Sequence, residues 1–519
     1  MSSTPAQSAP KRGERFFHSV IWSWLSVGVS LFSGLLLAPY TIHKLGDEAY
    51  GVWTIILAFV DYFWLMDLGF RSATLKYTAH YRALEQPDKI NEVINTALIY
   101  ASCVSALTIT ATILFSHYIA RFEHITPKYH HTFVILILLV GVGWGSGAIF
   151  NLCSATVEGH QRFDLTSRIW IVGIAIRALG MGAVLYLGHG LLAMGAMVVA
   201  GLVATYALSV LALLTVFPQF RLAPRLATYS MFRQMLHYGI NTFLATISLQ
   251  VLNQSAPILI GHFLPTAFAG YYGMAMRLPQ YSVDMVARVG FVTGSHSAEL
   301  AARGDFDAIA RMGIYVNRYC FMLFAPVAMS LCIYGRELFR LWIKPEFAVM
   351  SAPLLPAIAI GVTLGVAAQF NSSSILYGLG KHRGYAVSLM LEALCCVTGL
   401  YLVTPRFGLQ GVALLTSGLI VLNRGFLTSW LLCRALRFPL ASYLAGIYVR
   451  PFAIAVPVVL AAVWVKHHVL AGATWLQVIA GGAMLALSYY ALGFFFCLQK
   501  EHRSLPIDWV RARLGSRAA

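Results

Sequence analysis

The chain has 519 residues, 59% of them hydrophobic and 11% charged, with a net charge of +17 and a mean hydropathy of +0.72. Soluble proteins run to about 50% apolar and about 25% charged, and so few polar groups cannot cover a water-soluble fold of this length, which excludes soluble enzymes and free nucleic-acid binders. The positive charge then belongs to loops that flank a membrane and not to a nucleic-acid-binding face.

A polar tail, 1–16, carries Lys11, Arg12 and Arg15 ahead of an apolar run from Phe16 to Ile42. A cleaved signal core has about 7 to 15 apolar residues, so this longer run is expected to stay as a membrane helix. Scanning onward with a window of about 20 apolar residues predicts an all-α polytopic membrane protein of about fourteen transmembrane helices. They fall at 17–42, 50–70, 93–117, 133–156, 169–188, 190–217, 238–262, 269–292, 313–334, 352–377, 385–404, 409–433, 447–465 and 475–498. Helices 1 to 6 form an N-lobe over 17–217 and helices 7 to 12 a C-lobe over 238–433, joined by a cytoplasmic linker at 218–237. Helices 13 and 14 add 434–498, and 499–519 is a second tail. The eight cysteines lie in or beside apolar runs and read as small buried or lipid-facing residues, not as a disulfide framework.

Charge orients these spans. The tails and even-numbered loops hold 23 Lys and Arg and the odd-numbered loops 8, which places both termini in the cytoplasm. A weak repeat near an offset of 218 to 221 residues divides the helices: PYTIHKLGDEAYG from Pro39 matches PILIGHFLPTAFAG from Pro257, and Phe150-Asn151 with Arg162 matches Phe370-Asn371 with Arg383. Six helices per repeat is an even number, so the copies share one orientation and are parallel repeats.

No metal-protease, phosphate-loop or Cys-x-x-Cys spacing occurs, so no metal, cofactor or nucleotide engine is expected. Gly141, Gly143, Gly145 and Gly147 read as a close-packing helix face. His117, His124, His130 and His131 lack a ligand spacing and read as solvated loop residues.

Charges inside spans carry the information, because each costs at least about 2.5 kcal/mol at the bilayer centre unless it faces water or a partner. Arg288, Arg318 and Arg450 lie near cytoplasmic helix ends and can snorkel. Arg177, Arg277 and Arg424 lie about 12 Å deep at 1.5 Å per residue and are expected to line an aqueous cavity between the lobes, with a structural ion pair as the alternative. Arg277, Asp284 and Arg288 share one helix face beside Pro279. Asp61, near the middle of helix 2, matches Gln280 in the repeat register; it is a candidate proton or sodium coupling site, or else the partner of a deep arginine. Asp284 is the second ion-coupling candidate. Asn253, Gln254, Gln369 and Asn371 are expected in the same cavity, since amides are costly against lipid.

The hairpin LAPYTIHKLGDEAYGVW (37–53), the segment AGYYGMAMRLP (269–279), the stretch ELFRLWIKPEF (337–347) and the Gly-x-x-Arg turns after helices 4 and 10 carry a family likeness. On these the chain resembles the polysaccharide-type flippases of the multidrug/oligosaccharidyl-lipid/polysaccharide exporter superfamily. The resemblance implies a transporter, not an enzyme, that turns polyprenyl-diphosphate-linked oligosaccharide from the cytoplasmic to the periplasmic leaflet of the bacterial inner membrane by alternating access. It implies the lipid-linked glycan as substrate, membrane lipid around it, no nucleic acid, and a polysaccharide polymerase as a possible partner. Guanidinium suits a diphosphate through paired hydrogen bonds. An ion-coupled drug or metabolite exporter of the same superfamily is the alternative, and would favour carboxylates in its cavity. A membrane glycosyltransferase or polymerase would need longer loops than the roughly 22 residues present here.

Overall fold

The computed structural model describes residues 9–122, 125–367, 369–469, 474–499 and 502. The ends of both expected tails, His124 and the side chain of Arg288 lie outside the described residues. Regular structure among the described residues is helical throughout, as it must be where lipid offers no hydrogen bonds to the backbone. The chain divides into two compact units, Met1–Gly270 and Tyr271–Ala519.

The first unit contains α1 (Ala9–Leu45), α2 (Asp47–Asp61), α3 (Phe70–Ala83), α4 (Pro87–Phe122), α5 (Pro127–Gly145), α6 (Gly147–Gly159), α7 (Phe163–Tyr186), α8 (Leu191–Val216) and α9 (Tyr229–Phe263). The unit boundary falls just inside α10 (Ala267–Ala302). The second unit continues with α11 (Phe306–Trp342), α12 (Pro345–Met350), α13 (Leu355–Val362), α14 (Phe370–Gly378), α15 (Arg383–Leu419), α16 (Thr428–Leu436), α17 (Leu440–His468) and α18 (Trp475–Phe496).

Among the described residues ten stretches are long and apolar enough to cross a membrane, so this is a multi-pass membrane protein. The expected spans 238–262 and 269–292 fall within α9 and α10, of 35 and 36 residues, and 50–70 is divided by the turn after Asp61; these three are not among the ten, and 385–404 and 409–433 fall together in one of them. One of the ten, Arg383–Leu436, has 54 residues. A straight helix of that length would measure about 81 Å against a hydrocarbon core of about 30 Å. It is interrupted at Gly408, whose φ of 57° and ψ of −150° suit glycine and would strain other residues.

Element boundaries recur along the chain. α4 and α11 begin at 87 and 306, α5 and α12 at 127 and 345, α7 and α15 at 163 and 383, offsets of 218 to 220. α1 and α9 end at Leu45 and Phe263, each with a proline six residues earlier, Pro39 and Pro257.

The packing is that of a membrane bundle. Phe32, Leu36, Leu114, Leu179 and Leu402 stand exposed, a surface that lipid covers. Several buried hydroxyls bond within their own helices, as when Thr108 donates to Val104 O at 2.8 Å and Thr404 to Leu400 O at 2.6 Å. The glycine face expected to pack does so: a Cβ on Gly141 would come within 2.7 Å of Thr112, and one on Gly147 within 2.5 Å of Tyr206. α5 and α6 meet at Ser146, which keeps right-handed helical φ and ψ of −69° and −16°, and together they form one apolar stretch, Pro127–Gly159. All eight cysteines are free thiols.

The connection between α8 and α9 is extended and clamped. Asn91 Nδ2 donates to Gln219 O at 3.0 Å while its Oδ1 accepts from Arg221 N at 2.8 Å. One turn on, Asn95 repeats the pattern with Arg221 O and Ala223 N, both at 2.8 Å. Two asparagines on α4 thus act as the edge of a strand. α9 then starts at Tyr229, inside the segment expected as linker, with Thr228 as its N-cap.

Candidate functional site

In the first unit the polar centre forms where helix 2 stops being regular. α2 ends at Asp61, a 3-10 stretch covers Tyr62–Asp67, and Leu68 and Gly69 adopt left-handed φ of 45° and 79° before α3 resumes. The break frees backbone groups that a continuous helix would hide. α9 supplies partners at helical spacing: Gln250 Nε2 donates to Asp61 O at 2.7 Å, and Gln254 Nε2 to the Asp61 carboxylate at 2.8 Å. Tyr62 and Ser255 pair through their hydroxyls at 3.2 Å. Asn253, adjacent to Gln254 but about 100° around the helix, is exposed. Just past the break, a cavity of about 180 Å³ is lined by residues including Asp67, Arg71, Phe243 and Thr246. Asp67 accepts from Arg71 N at 3.2 Å and so caps α3, while the Arg71 guanidinium grips Glu158 at 2.8 Å.

Arg177, on α7, has no carboxylate partner among the described residues. Its Nε donates to Gly173 O one turn back at 3.3 Å, and its guanidinium lies 5.4 Å from the Trp170 ring. Its stem crosses α8 at Gly201, where a Cβ would stand 2.2 Å from Arg177 Cγ.

In the second unit Arg277 Nε donates to Tyr281 OH at 3.2 Å, and Gln280 Nε2 to Asp284 Oδ1 at 3.4 Å. Asp284 itself is exposed. Gln280, which the repeat register aligns with Asp61, therefore bears on a carboxylate of its own unit.

Arg424 lies in a π-helical turn, Ile420–Leu427, and its Nε donates to Glu392 at 3.2 Å. Asn423 Nδ2 reaches the same carboxylate at 2.6 Å. The Glu392 side chain is 1% exposed, so this is a buried pair with a second donor. Gln369 is buried between Tyr448 OH, to which it donates at 3.0 Å, and the hydroxyls of Ser372 and Ser429, from which it accepts at 2.9 and 2.6 Å. Asn371 accepts from Thr293 at 3.0 Å. These two amides thus meet the cost of burial with internal hydrogen bonds.

The structure therefore brings Asp61 to Gln254, and Gln369 to a hydroxyl network that Ser372 extends to Asn317 and Tyr443. Gln250, Glu392, Asn423, Ser372 and Tyr448 were not singled out as site residues by sequence. Gln250 had a signal, since it lies four residues before Gln254; Asn423 had only its place beside Arg424.

A multi-pass helical bundle with ionisable and amide groups inside its spans is the architecture of membrane transporters, and solved structures share the fold. The lipid II flippase MurJ in an inward closed conformation superposes with a TM-score of 0.71 at 13% identity, covering 92% of this chain and 98% of that one. An inward-facing multidrug resistance MATE family transporter of the MOP superfamily gives 0.69 at 12% identity, over 79% and 95%.

The family follows from sequence. The family model described as polysaccharide biosynthesis protein matches residues 45–351, and the chain belongs to that family. A Shigella flexneri protein described as an O-antigen transporter is 20% identical over 425 residues, 80% of this chain and 97% of its own.

Proposed function

We propose that this protein carries a polyprenyl-diphosphate-linked oligosaccharide from the cytoplasmic to the periplasmic leaflet of the bacterial inner membrane, for cell-surface polysaccharide synthesis. Family membership supports the process, and the likeness to an O-antigen transporter of Shigella flexneri and to a lipid II flippase supports the substrate class. The observation that carries the reading is Arg177: a largely buried guanidinium held by a carbonyl and an aromatic ring, with no described carboxylate to neutralise it. A permanent anion such as a diphosphate completes it through charge-assisted hydrogen bonds.

On this reading both termini are cytoplasmic, as the loop charges indicate, and the two parallel repeats act as lobes that rock between inward and outward access. Arg177 and Arg277 receive the diphosphate, and the polyprenyl tail stays in lipid. Arg424 acts through Glu392, holding its turn in place. Asp61 is the coupling carboxylate for a proton or sodium gradient: it sits at a helix break, one of the settings in which membrane transporters coordinate coupling ions. A polysaccharide polymerase is a partner by function. The drug-exporter reading rests on the MATE fold alone.

Complementation tests this. In a strain lacking its glycan flippase, the wild-type chain should restore surface polysaccharide, and Arg277→Ala at equal expression should not, while Arg277→Lys retains part. Full restoration by Arg277→Ala would remove Arg277 from the clamp.

A further inference from the structure

The break after Asp61 leaves two carboxylates without a cation. Asp61 accepts from Gln254 Nε2 at 2.8 Å, and Asp67 from the backbone N–H of Arg71 at 3.2 Å. Among the described residues neither forms an ion pair, and the Arg71 guanidinium, one turn beyond Asp67, is held by Glu158 instead. Amide donors lower the cost of burying a carboxylate but carry no net charge, so each of the two groups is completed by a proton or a metal cation.

One face of α9 connects them. Gly239, Phe243, Thr246, Gln250 and Gln254 recur at three- and four-residue steps and so lie along one side of that helix. At its start the bare Gly239 lets the chain approach at Leu68, since a Cβ there would stand 2.4 Å from Leu68 O. At the far end Gln250 and Gln254 hold the Asp61 carbonyl and carboxylate. Between these contacts Phe243 and Thr246 line the cavity of about 180 Å³, together with Asp67 and Ser72.

Distance decides what the cavity does. Six residues of 3-10 backbone at about 2.0 Å each put the two carboxylates about 12 Å apart. A proton crosses only within hydrogen-bond reach or through water, so this gap needs water. Each water requires about 10 to 15 Å³ and a few polar partners, and the carboxylate of Asp67 with the hydroxyls of Ser72 and Thr246 supplies them. Thr246 lies one helical turn, about 6 Å, from Gln250. Resting on the reading of Asp61 as the coupling group and of the start of α9 as cytoplasmic, we propose that this cavity is the route by which a monovalent cation, proton or sodium, passes between the cytoplasm and Asp61, with Asp67 receiving it on the way. For a proton, Asp67 gains one O–H bond from cavity water and gives it back to that water as Asp61 takes one up, and nothing is oxidised or reduced.

Vesicles reconstituted with the full chain and a labelled polyprenyl-diphosphate oligosaccharide test the route. Asparagine caps helices about as well as aspartate, so Asp67→Asn keeps an acceptor for Arg71 N and removes only the ionisable group. Under an imposed pH or sodium gradient its transport should fall about tenfold or more, while exchange of labelled for unlabelled substrate without a gradient proceeds as in the wild type. Thr246→Trp, which fills the cavity, should give the same split. Gradient-driven transport at the wild-type rate in Asp67→Asn, or equal loss of both activities in both variants, would overturn the route. Asp61→Asn separates the route from the coupling role: if it alone loses the gradient response, Asp61 couples without this cavity, and if it too keeps the response, the coupling reading fails and the route falls with it.

Discussion

Asp61 receives hydrogen bonds from two glutamines one turn apart on α9, and this pairing sets what substitution does. Asn at position 61 still accepts from Gln254 but can neither take up nor release a proton. Asp61→Asn should therefore express at wild-type levels and fold, yet lose the response of transport to an imposed pH or sodium gradient, read in reconstituted vesicles. Gradient-driven transport at the wild-type rate would exclude Asp61 as the coupling group. Glu392 has the opposite character. Removing one partner of a buried pair costs about 3 to 5 kcal/mol, because the other charge is left uncompensated, so Glu392→Leu should lower the melting temperature markedly. The double variant Glu392→Leu with Arg424→Leu should regain most of the loss, since apolar pairs of similar volume often match buried ion pairs. A double variant no more stable than the single one would show that Arg424 has another duty. The sequence flagged Arg424 as an intramembrane charge, but nothing in a linear pattern says that it pairs with a carboxylate 32 positions away.

Among the elements, the extended connection 217–228 behaves as part of the unit because Asn91 and Asn95 hold its backbone with four hydrogen bonds. At about 0.5 to 1.5 kcal/mol each, these bonds outweigh the entropy of one or two residues released. Replacing both asparagines with alanine should free Arg221 and Arg225 for trypsin, seen as cleavage between α8 and α9 at least several-fold faster than in the wild type. Unchanged cleavage would mean that packing alone holds the segment. Gly408→Val should likewise destabilise the joint within α15, by about 1 to 3 kcal/mol for a non-glycine residue in that conformation, measured as a lower melting temperature in detergent. The joint near 405–408 was legible as a short gap between apolar windows. The break at Tyr62–Gly69 was not, because the window 50–70 remains apolar straight through it, and only the local Asp-Leu-Gly hinted at a stop. The packing role of Gly141 and Gly147 was legible from spacing, since small residues at helical intervals have few other uses in a bundle.

For the whole molecule, the composition left little freedom: with 11% charged residues, a helical membrane bundle was the available class. The repeat was visible in sequence because prolines and turn residues are tied to helix ends, and Pro39 and Pro257 do fall six residues before the ends of α1 and α9. The partners of the deep polar residues were invisible for the same reason that they matter. They lie on other helices, as Asp61 and Gln254 do at a separation of 193 residues, and helix packing carries no linear signal. On the proposed reading Arg177 receives the diphosphate, and the fold that MATE transporters share does not by itself require it. The most direct measurement is translocation in vesicles reconstituted with the purified chain and a fluorescent polyprenyl-diphosphate oligosaccharide, scored by access of a membrane-impermeant quencher. Wild-type protein should move the label across the bilayer well above protein-free vesicles, and folded Arg177→Ala should not. No movement by the wild type under an imposed gradient, or full movement by Arg177→Ala, would contradict the assignment.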